Sequence, residues 1–307
     1  PAGNGAGIRF ERGTLELADC VFEDNENGIL TGNEADSPRG RIYLMRQVME
    51  GSLELDRTVK GHLDLCLNCR ACETACPSGV QYGRLIEPFR EHMEHLEPGR
   101  STRSLGGLQK WMLFRIFPSR LRTRLALAPA SFAQWTGLDW LARKSGVLKL
   151  LPKQLRTMHG MLPALKPHYG SLPEHLPAIG PKRAKVALFL GCVADAIYPQ
   201  TNYATAKVLQ ANGCDVWIPR SQKCCGALHY HSGEEGTARE YAAENCKTFG
   251  TGTPEWKDVD AIITNAAGCG AMLKDYAHLM HGDADAAAFQ AKVKDVSEFL
   301  DGLGLVP

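Results

Sequence analysis

Cys66-Leu67-Asn68-Cys69-Arg70-Ala71-Cys72-Glu73-Thr74-Ala75-Cys76-Pro77 sets four cysteines at the spacing CxxCxxCxxxCP, a ligand spacing of iron–sulfur clusters. Three thiolates two residues apart wrap a tight turn around one corner of a cubane. The fourth, a helical turn further on, points elsewhere, and in two-cluster proteins it serves the second cluster. Pro77 prevents the chain from continuing as helix. Zinc is the competing metal, yet zinc sites usually bring two separated ligand pairs rather than four close cysteines. Buried thiols without metal have no reason to adopt this spacing. Upstream the only cysteine is Cys20. Either a first run is lost from a fragment, or the upstream frame is wrong, or Cys76 completes a single cluster.

Working outward, the stretch 1–33 is polar and glycine-rich and reads as loop. Asp36-Ser37-Pro38 then opens a helix, with Asp or Ser as cap and Pro38 in the first turn. Ile42, Met45, Val48 and Met49 recur at helical spacing and predict its buried face. A second helix over about 55–65 delivers the chain to the cysteine run, and a third follows over 83–95. From 99 to 185 basic residues recur, with Asp139 and Glu174 the only acids and Trp111, Phe114, Phe117, Phe132, Trp135 and Trp140 interleaved. Such a segment can face an anionic bilayer or a partner subunit; the plain alternative is a helical connector with a solvated basic face. The prolines between 163 and 181 mark a linker.

Beyond the linker the pattern is α/β. Apolar runs at 186–190, 215–219 and 261–264 alternate with helical stretches at 202–212, 234–249 and 271–280, which implies a short parallel sheet. Ligands in such sheets gather beyond the carboxyl ends of the strands. Cys192 and Cys269 sit at two such ends, and Cys224-Cys225-Gly226 lies in a loop after a third, so all four cysteines are expected in loops. Adjacent cysteines point apart in extended chain, but a turn at Gly226 can aim both at one metal. On spacing alone, cluster ligation and burial as small hydrophobes stand level. Cys214, at a strand start, and Cys246, within a helix, read as structural. His229 and His231 can ligate metal or relay protons, although surface histidines are commoner.

Composition narrows the classes. The 307 residues suffice for two domains, and a formal charge of +1 gives no reason to expect nucleic acid. Eleven cysteines in tight spacings, with no secretory leader, favour metal ligation in a reducing compartment over a disulfide framework. Cytoplasm is therefore the expected location, although the chain starts at Pro1 and not Met. No stretch approaches the roughly 20 apolar residues of a membrane span, so any membrane contact is expected to be peripheral.

The segment 36–44 (DSPRGRIYL), the run from Cys66 to Pro77 with Ser78-Gly79-Val80 after it, and the series Cys192, Cys224-Cys225-Gly226, Gly268-Cys269-Gly270 together resemble the iron–sulfur subunit of glycolate oxidase. The resemblance spans about 32–281. The CCG pattern alone is shared with lactate-utilisation proteins, heterodisulfide reductase subunits and the anaerobic glycerol-3-phosphate dehydrogenase small subunit; the helix before the cysteine run narrows the choice. The resemblance implies an α+β chain: a poorly defined segment over 1–33, a small helical ferredoxin-like domain over 34–98, a basic connector over 99–182, and a first CCG α/β domain over 183–307, with the second CCG half absent. It further implies that Cys66, Cys69, Cys72 and Cys76 bind [4Fe–4S] clusters, and that Cys192, Cys224, Cys225 and Cys269 hold another cluster or serve quinone-side chemistry. The implied role is to carry electrons from flavin-containing glycolate oxidase subunits toward quinone, in the cytoplasm or peripheral to the inner membrane. Two other roles compete: a lactate-utilisation or heterodisulfide-type subunit, and a non-redox assembly protein built on structural zinc.

Overall fold

Helix α1 (Pro38–Met49) begins as its sequence requires, with the Ser37 hydroxyl accepting from the Gly40 N–H at 3.0 Å. Helix α2 (Arg57–Asp64) is capped in the same way by Asp56, whose carboxylate accepts from Val59 N–H at 2.8 Å. Helices α3 (Ala71–Ala75) and α4 (Gly83–Leu96) follow. Met45, Val59, Leu63, Tyr82, Ile86, Phe89 and Met93 form their common core. Ile42 and Val48 pack against it, but Met49 is 76% exposed: as the last residue of α1 it lies past the packed face, contrary to the helical reading. This computed structural model describes residues 7–11, 14–18, 34–96, 110–165, 170–250 and 253–306. It divides into two compact units, Pro1–Ser104 and Leu105–Pro307.

The loop expected over 1–33 contains a hairpin. Strands β1 (Gly7–Glu11) and β2 (Thr14–Ala18) pair antiparallel, with Ile8 opposite Leu17 and Phe10 opposite Leu15. The alternation Ile8-Arg9-Phe10 and Leu15-Glu16-Leu17 was the signal for it.

The second unit opens with a π-helical turn at Met112–Ile116, then α5 (Arg120–Trp135), α6 (Leu138–Ser145), a 3-10 turn at Val147–Leu150 and α7 (Lys153–Met161). The linker contributes a short strand, β3 (His175–Leu176). Then come β4 (Ala184–Leu188), α8 (Val193–Ile197), α9 (Pro199–Ala211), β5 (Cys214–Trp217), α10 (Ala227–Tyr230) and α11 (Glu235–Thr248). The chain continues through β6 (Ala261–Thr264), α12 (Ala267–Leu273), α13 (Tyr276–Leu279), α14 (Ala284–Ala291), β7 (Val293–Asp295) and α15 (Val296–Leu303).

The sheet runs β3-β5-β4-β6-β7, parallel except for the antiparallel edge strand β3. The expected parallel sheet is thus a mixed one. Both its faces are buried. Val186, Leu188, Val216 and Ile263 meet α9 and α15 on one side, while Ala187, Phe189, Trp217 and Ile262 meet α11 to α14 on the other. Because β5 and β6 flank β4, the chain leaves β4 toward one neighbour and returns on its other side. The crevice beyond the carboxyl end of β4 is therefore the topological switch point.

Candidate metal centres

The run Cys66–Cys76 is built on the exit from α2. A helix leaves its last carbonyls without internal partners, and here two arginines take them. Arg41 donates to His62 O at 2.7 Å, and Arg90, nearly buried, donates to Leu63 O at 3.0 Å and Cys66 O at 2.6 Å. Asn68 and Arg70 then adopt left-handed backbone with φ of 52° and 57°, which doubles the chain back around Cys69. Turns of this kind present backbone N–H groups to anions, and Asn68 N–H donates to Cys66 Sγ at 3.3 Å. The buried Asn68 side chain hydrogen-bonds Glu87 of α4. Burial, with the Cys66 thiol close by, lifts the Tyr82 phenol well above its usual range.

Cys72 sits on α3, its thiol pushed up by burial, then by Glu73, and further by Cys66 and Cys69. Cys76 follows the helix, and the backbone amides of Val80, Ser78 and Gly79 pull its thiol below the usual value. Cys69 is exposed and the other three are half-buried. The amide N–H groups aimed at Cys76 stabilise its thiolate, the form that binds iron. This donor set fits an anionic iron–sulfur cluster.

In the second unit three loops leave the carboxyl ends of the adjacent strands β5, β4 and β6. Cys192 follows β4, the Cys224-Cys225 pair follows β5, and Cys269 follows β6. Cys269 lies inside α12 and not in a loop; the small residues Ala266-Ala267-Gly268 let the helix start directly after the strand. Gly270 allows its close approach, since a Cβ there would meet Thr264 Cγ2 at 3.0 Å. The four sulfurs meet as pairs, Cys192 with Cys224 at 3.2 Å and Cys225 with Cys269 at 3.5 Å. The pairs adjoin through Cys224 and Cys225. Gly226 turns the chain with φ of 87° and rests on Ala238, which a Cβ would approach to 3.2 Å.

Cys192, Cys224 and Cys225 are buried. Cys192 is pushed up by its hydrogen bond with Cys224 and by burial. Cys192 in turn draws Cys224 down, yet Cys225 and burial carry that thiol up to about 12. Cys225 follows the same logic: Cys224 lowers it, and Cys269 with burial outweighs that. A thiophilic metal binding here would displace these protons. Among the described residues no three His, Cys, Asp or Glu side chains converge as a single ion would require. A polynuclear cluster makes no such demand, because its ligand sulfurs bind different irons, and a cavity of ≈270 Å³ opens against Cys192 and Cys224. Two adjoining thiol pairs, one of them lining a cavity, fit a cluster better than a lone zinc.

Two buried groups hold this arrangement from behind. Asn245, fully buried on α11, donates to Cys224 O and to Tyr276 Oη, both at 3.0 Å, and accepts from Lys223 N–H at 2.8 Å. The Tyr276 hydroxyl donates to Cys225 O at 3.0 Å. On the other flank Asp195, buried just past Cys192, receives Arg120 of α5 at 2.8 Å and Asn202 at 3.1 Å. Asn265 then joins Asn202 to Thr205 with 2.9 Å bonds. None of these residues was found from sequence, because each acts across 7 to 75 positions with no local motif.

Cys214 and Cys246 are buried in the cores at a strand start and within α11, as expected. His229 is buried between Phe114 and Tyr241, with ring centroids 4.9 and 5.3 Å away, and burial lowers its basicity. His231 is half-buried near the surface.

Residues 186–274 match the family model described as the CCG cysteine-rich domain, and residues 106–162 match the linker region of the glycolate oxidase iron-sulfur subunit. A probable glycolate oxidase iron-sulfur subunit of Bacillus subtilis strain 168 is 46% identical over 275 residues, 87% of this chain and 60% of that protein. The glycolate oxidase iron-sulfur subunit of Escherichia coli K12 is 35% identical over 88% of this chain and 58% of its own length. Lactate utilization protein A of Geobacillus kaustophilus is 36% identical over 38% of this chain and 47% of that protein. The chain thus spans about three fifths of the glycolate oxidase relatives it matches. No solved structure matches it. With the four paired thiols falling inside the matched cysteine-rich domain, the chain is a homologue of the glycolate oxidase iron–sulfur subunits across most of its length.

Proposed function

We propose that this chain is the electron-carrying iron–sulfur subunit of a glycolate-oxidising complex, taking electrons from a flavin-containing partner and passing them toward quinone or another acceptor. The observation that carries the reading is the meeting of Cys192, Cys224, Cys225 and Cys269 at the switch point of the sheet, beside a cavity. Cys66, Cys69, Cys72 and Cys76 would hold [4Fe–4S] iron, with the amides at 78–80 and at Asn68 stabilising their sulfurs. The CCG cysteines would hold a further cluster. Bound clusters supply one-electron storage and transfer; the chain supplies thiolates, hydrogen bonds to sulfur, and burial that limits water at Cys224 and Cys225.

On this reading the chain works in the cytoplasm or peripheral to the inner membrane; no helix among the described residues is long and apolar enough to cross one. A lactate-linked role is the second reading, supported by the lactate utilization relatives, but these match over only 38% of the chain. Anaerobic purification, iron and acid-labile sulfide analysis, and electron paramagnetic resonance of the reduced protein test the first point. Equal iron and sulfide, with a signal lost on Cys69→Ala, are expected. Zinc in place of iron, with no labile sulfide, would sink the proposal. Adding the flavin partner with glycolate, then with lactate, and recording cluster reduction separates the two substrates.

A further inference from the structure

We infer that the connector α5–α7 is a docking surface for an anionic lipid bilayer. This deepens the reading above by naming the surface and the headgroup chemistry that meet. Residues 110–161 carry ten Lys and Arg against one acid, Asp139, in a chain whose net charge is only +1. The rest of the chain therefore holds an excess of eight acids, and the positive charge is concentrated in one segment. Asp139 is itself covered by Arg143 at 2.8 Å and His159 at 2.6 Å.

Many apolar side chains of the same segment face outward. At about 100° per residue, Leu121, Leu125, Ala128, Phe132 and Trp135 fall within roughly 80° of arc on α5. The four large ones are 58–73% exposed. Apolar exposure also occurs beyond α5: Trp140 is 62% exposed, Leu150 85% and Met161 78%. Lys144 lies over the Trp140 ring, 4.8 Å from its centroid. An exposed apolar display of this extent marks an interaction site.

Its chemistry selects the occupant. A partner helix would use the α5 stripe alone, whereas apolar exposure here runs through four successive elements. Arg120 and Arg124 are turned to Asp195, and four of the other eight cations are lysines, which protein interfaces disfavour and anionic headgroups attract. Tryptophans flanked by cations suit the headgroup boundary, with the apolar side chains dipping below it.

The test is flotation of the purified chain with phosphatidylcholine vesicles, with and without phosphatidylglycerol. Two exposed-surface variants accompany it: Lys144→Glu/Lys149→Glu/Arg156→Glu and Leu125→Ser/Phe132→Ser/Trp135→Ser. The expected result is flotation only with phosphatidylglycerol, reduced in high salt and weakened at least roughly a hundredfold by the charge variant. The apolar variant is expected to lose it as well. No flotation, or equal flotation with neutral vesicles, overturns the inference. So does a vesicle-independent association with the flavin partner or a second copy that the same variants abolish, since that assigns the face to protein. Iron and sulfide measured on the same samples keep the two proposals separable: a chain that holds its clusters but ignores vesicles refutes the docking surface alone.

Discussion

Replacing Asn245 by alanine removes the clamp behind the paired cysteines. The side chain is fully buried and makes three hydrogen bonds, to Cys224 O, Tyr276 Oη and Lys223 N–H. Each is worth about 1 kcal/mol net, and about 1–3 kcal/mol instead where a buried partner is left without one. Cys224 O is left so, while the bonds to part-buried Lys223 N–H and to Tyr276 Oη count about 1 each, and a loss of about 3–5 kcal/mol is expected. That is a large share of the roughly 5–15 kcal/mol that stabilises a domain. Tyr276→Phe keeps the ring stacked on Phe289 at 5.2 Å and removes only the hydroxyl, for about 1–2 kcal/mol. Because the two side chains share a bond, the double variant should lose less than the sum. Urea denaturation followed by the fluorescence of buried Trp217 measures all three. An Asn245→Ala protein within about 0.5 kcal/mol of the parent, or strict additivity in the double variant, refutes the clamp.

Gly226→Ala should lose about 1–3 kcal/mol, because φ of 87° and the contact with Ala238 both exclude a side chain; the same urea titration reads it, and an unchanged midpoint would contradict the geometry. Arg90→Gln strips the bonds to Leu63 O and Cys66 O and should release iron from the Cys66–Cys76 site faster on chelator challenge while leaving the second unit's urea midpoint unchanged. Asp215 is held below the usual carboxylate range by its bond to Lys182 and by Ala178 N–H. Its contribution is complete above the unfolded value of about 3.9 and fades as pH falls through the lower folded value. Asp215→Asn should therefore be less stable than the parent at neutral pH, with the gap closing below about pH 4; a gap independent of pH would show that the pair adds nothing.

The central strands were readable because β4, β5 and β6 are apolar runs bounded by Gly191, Gly213 and Pro219, and fully buried strands leave that trace. β3 and β7 were not, since two and three residues are too few to show a period. The placement of Cys192, Cys224, Cys225 and Cys269 at strand ends followed from alternation alone. Their pairing did not, because it depends on the order β5-β4-β6, which no local pattern encodes. Cys269 was expected in a loop; in the fold Gly270 lets α12 press against β6. The clamp and the arginines under Cys66 are long-range partners chosen by burial, and burial is a property of the assembled chain.

The ion pair between Arg120 and Asp195 has a consequence for dissecting the molecule. A boundary near 182 suggests that the sheet could be expressed alone from 183 onward. That cut would strand Asp195, which is only 5% exposed, as a buried carboxylate without its guanidinium partners on α5, a situation that typically costs about 3–5 kcal/mol. The compact unit begins at Leu105 and includes both partners. Truncations that start before Arg120 should yield a stable, soluble product, and those that start after it a short-lived one, so the helical connector works as part of the sheet's own foundation.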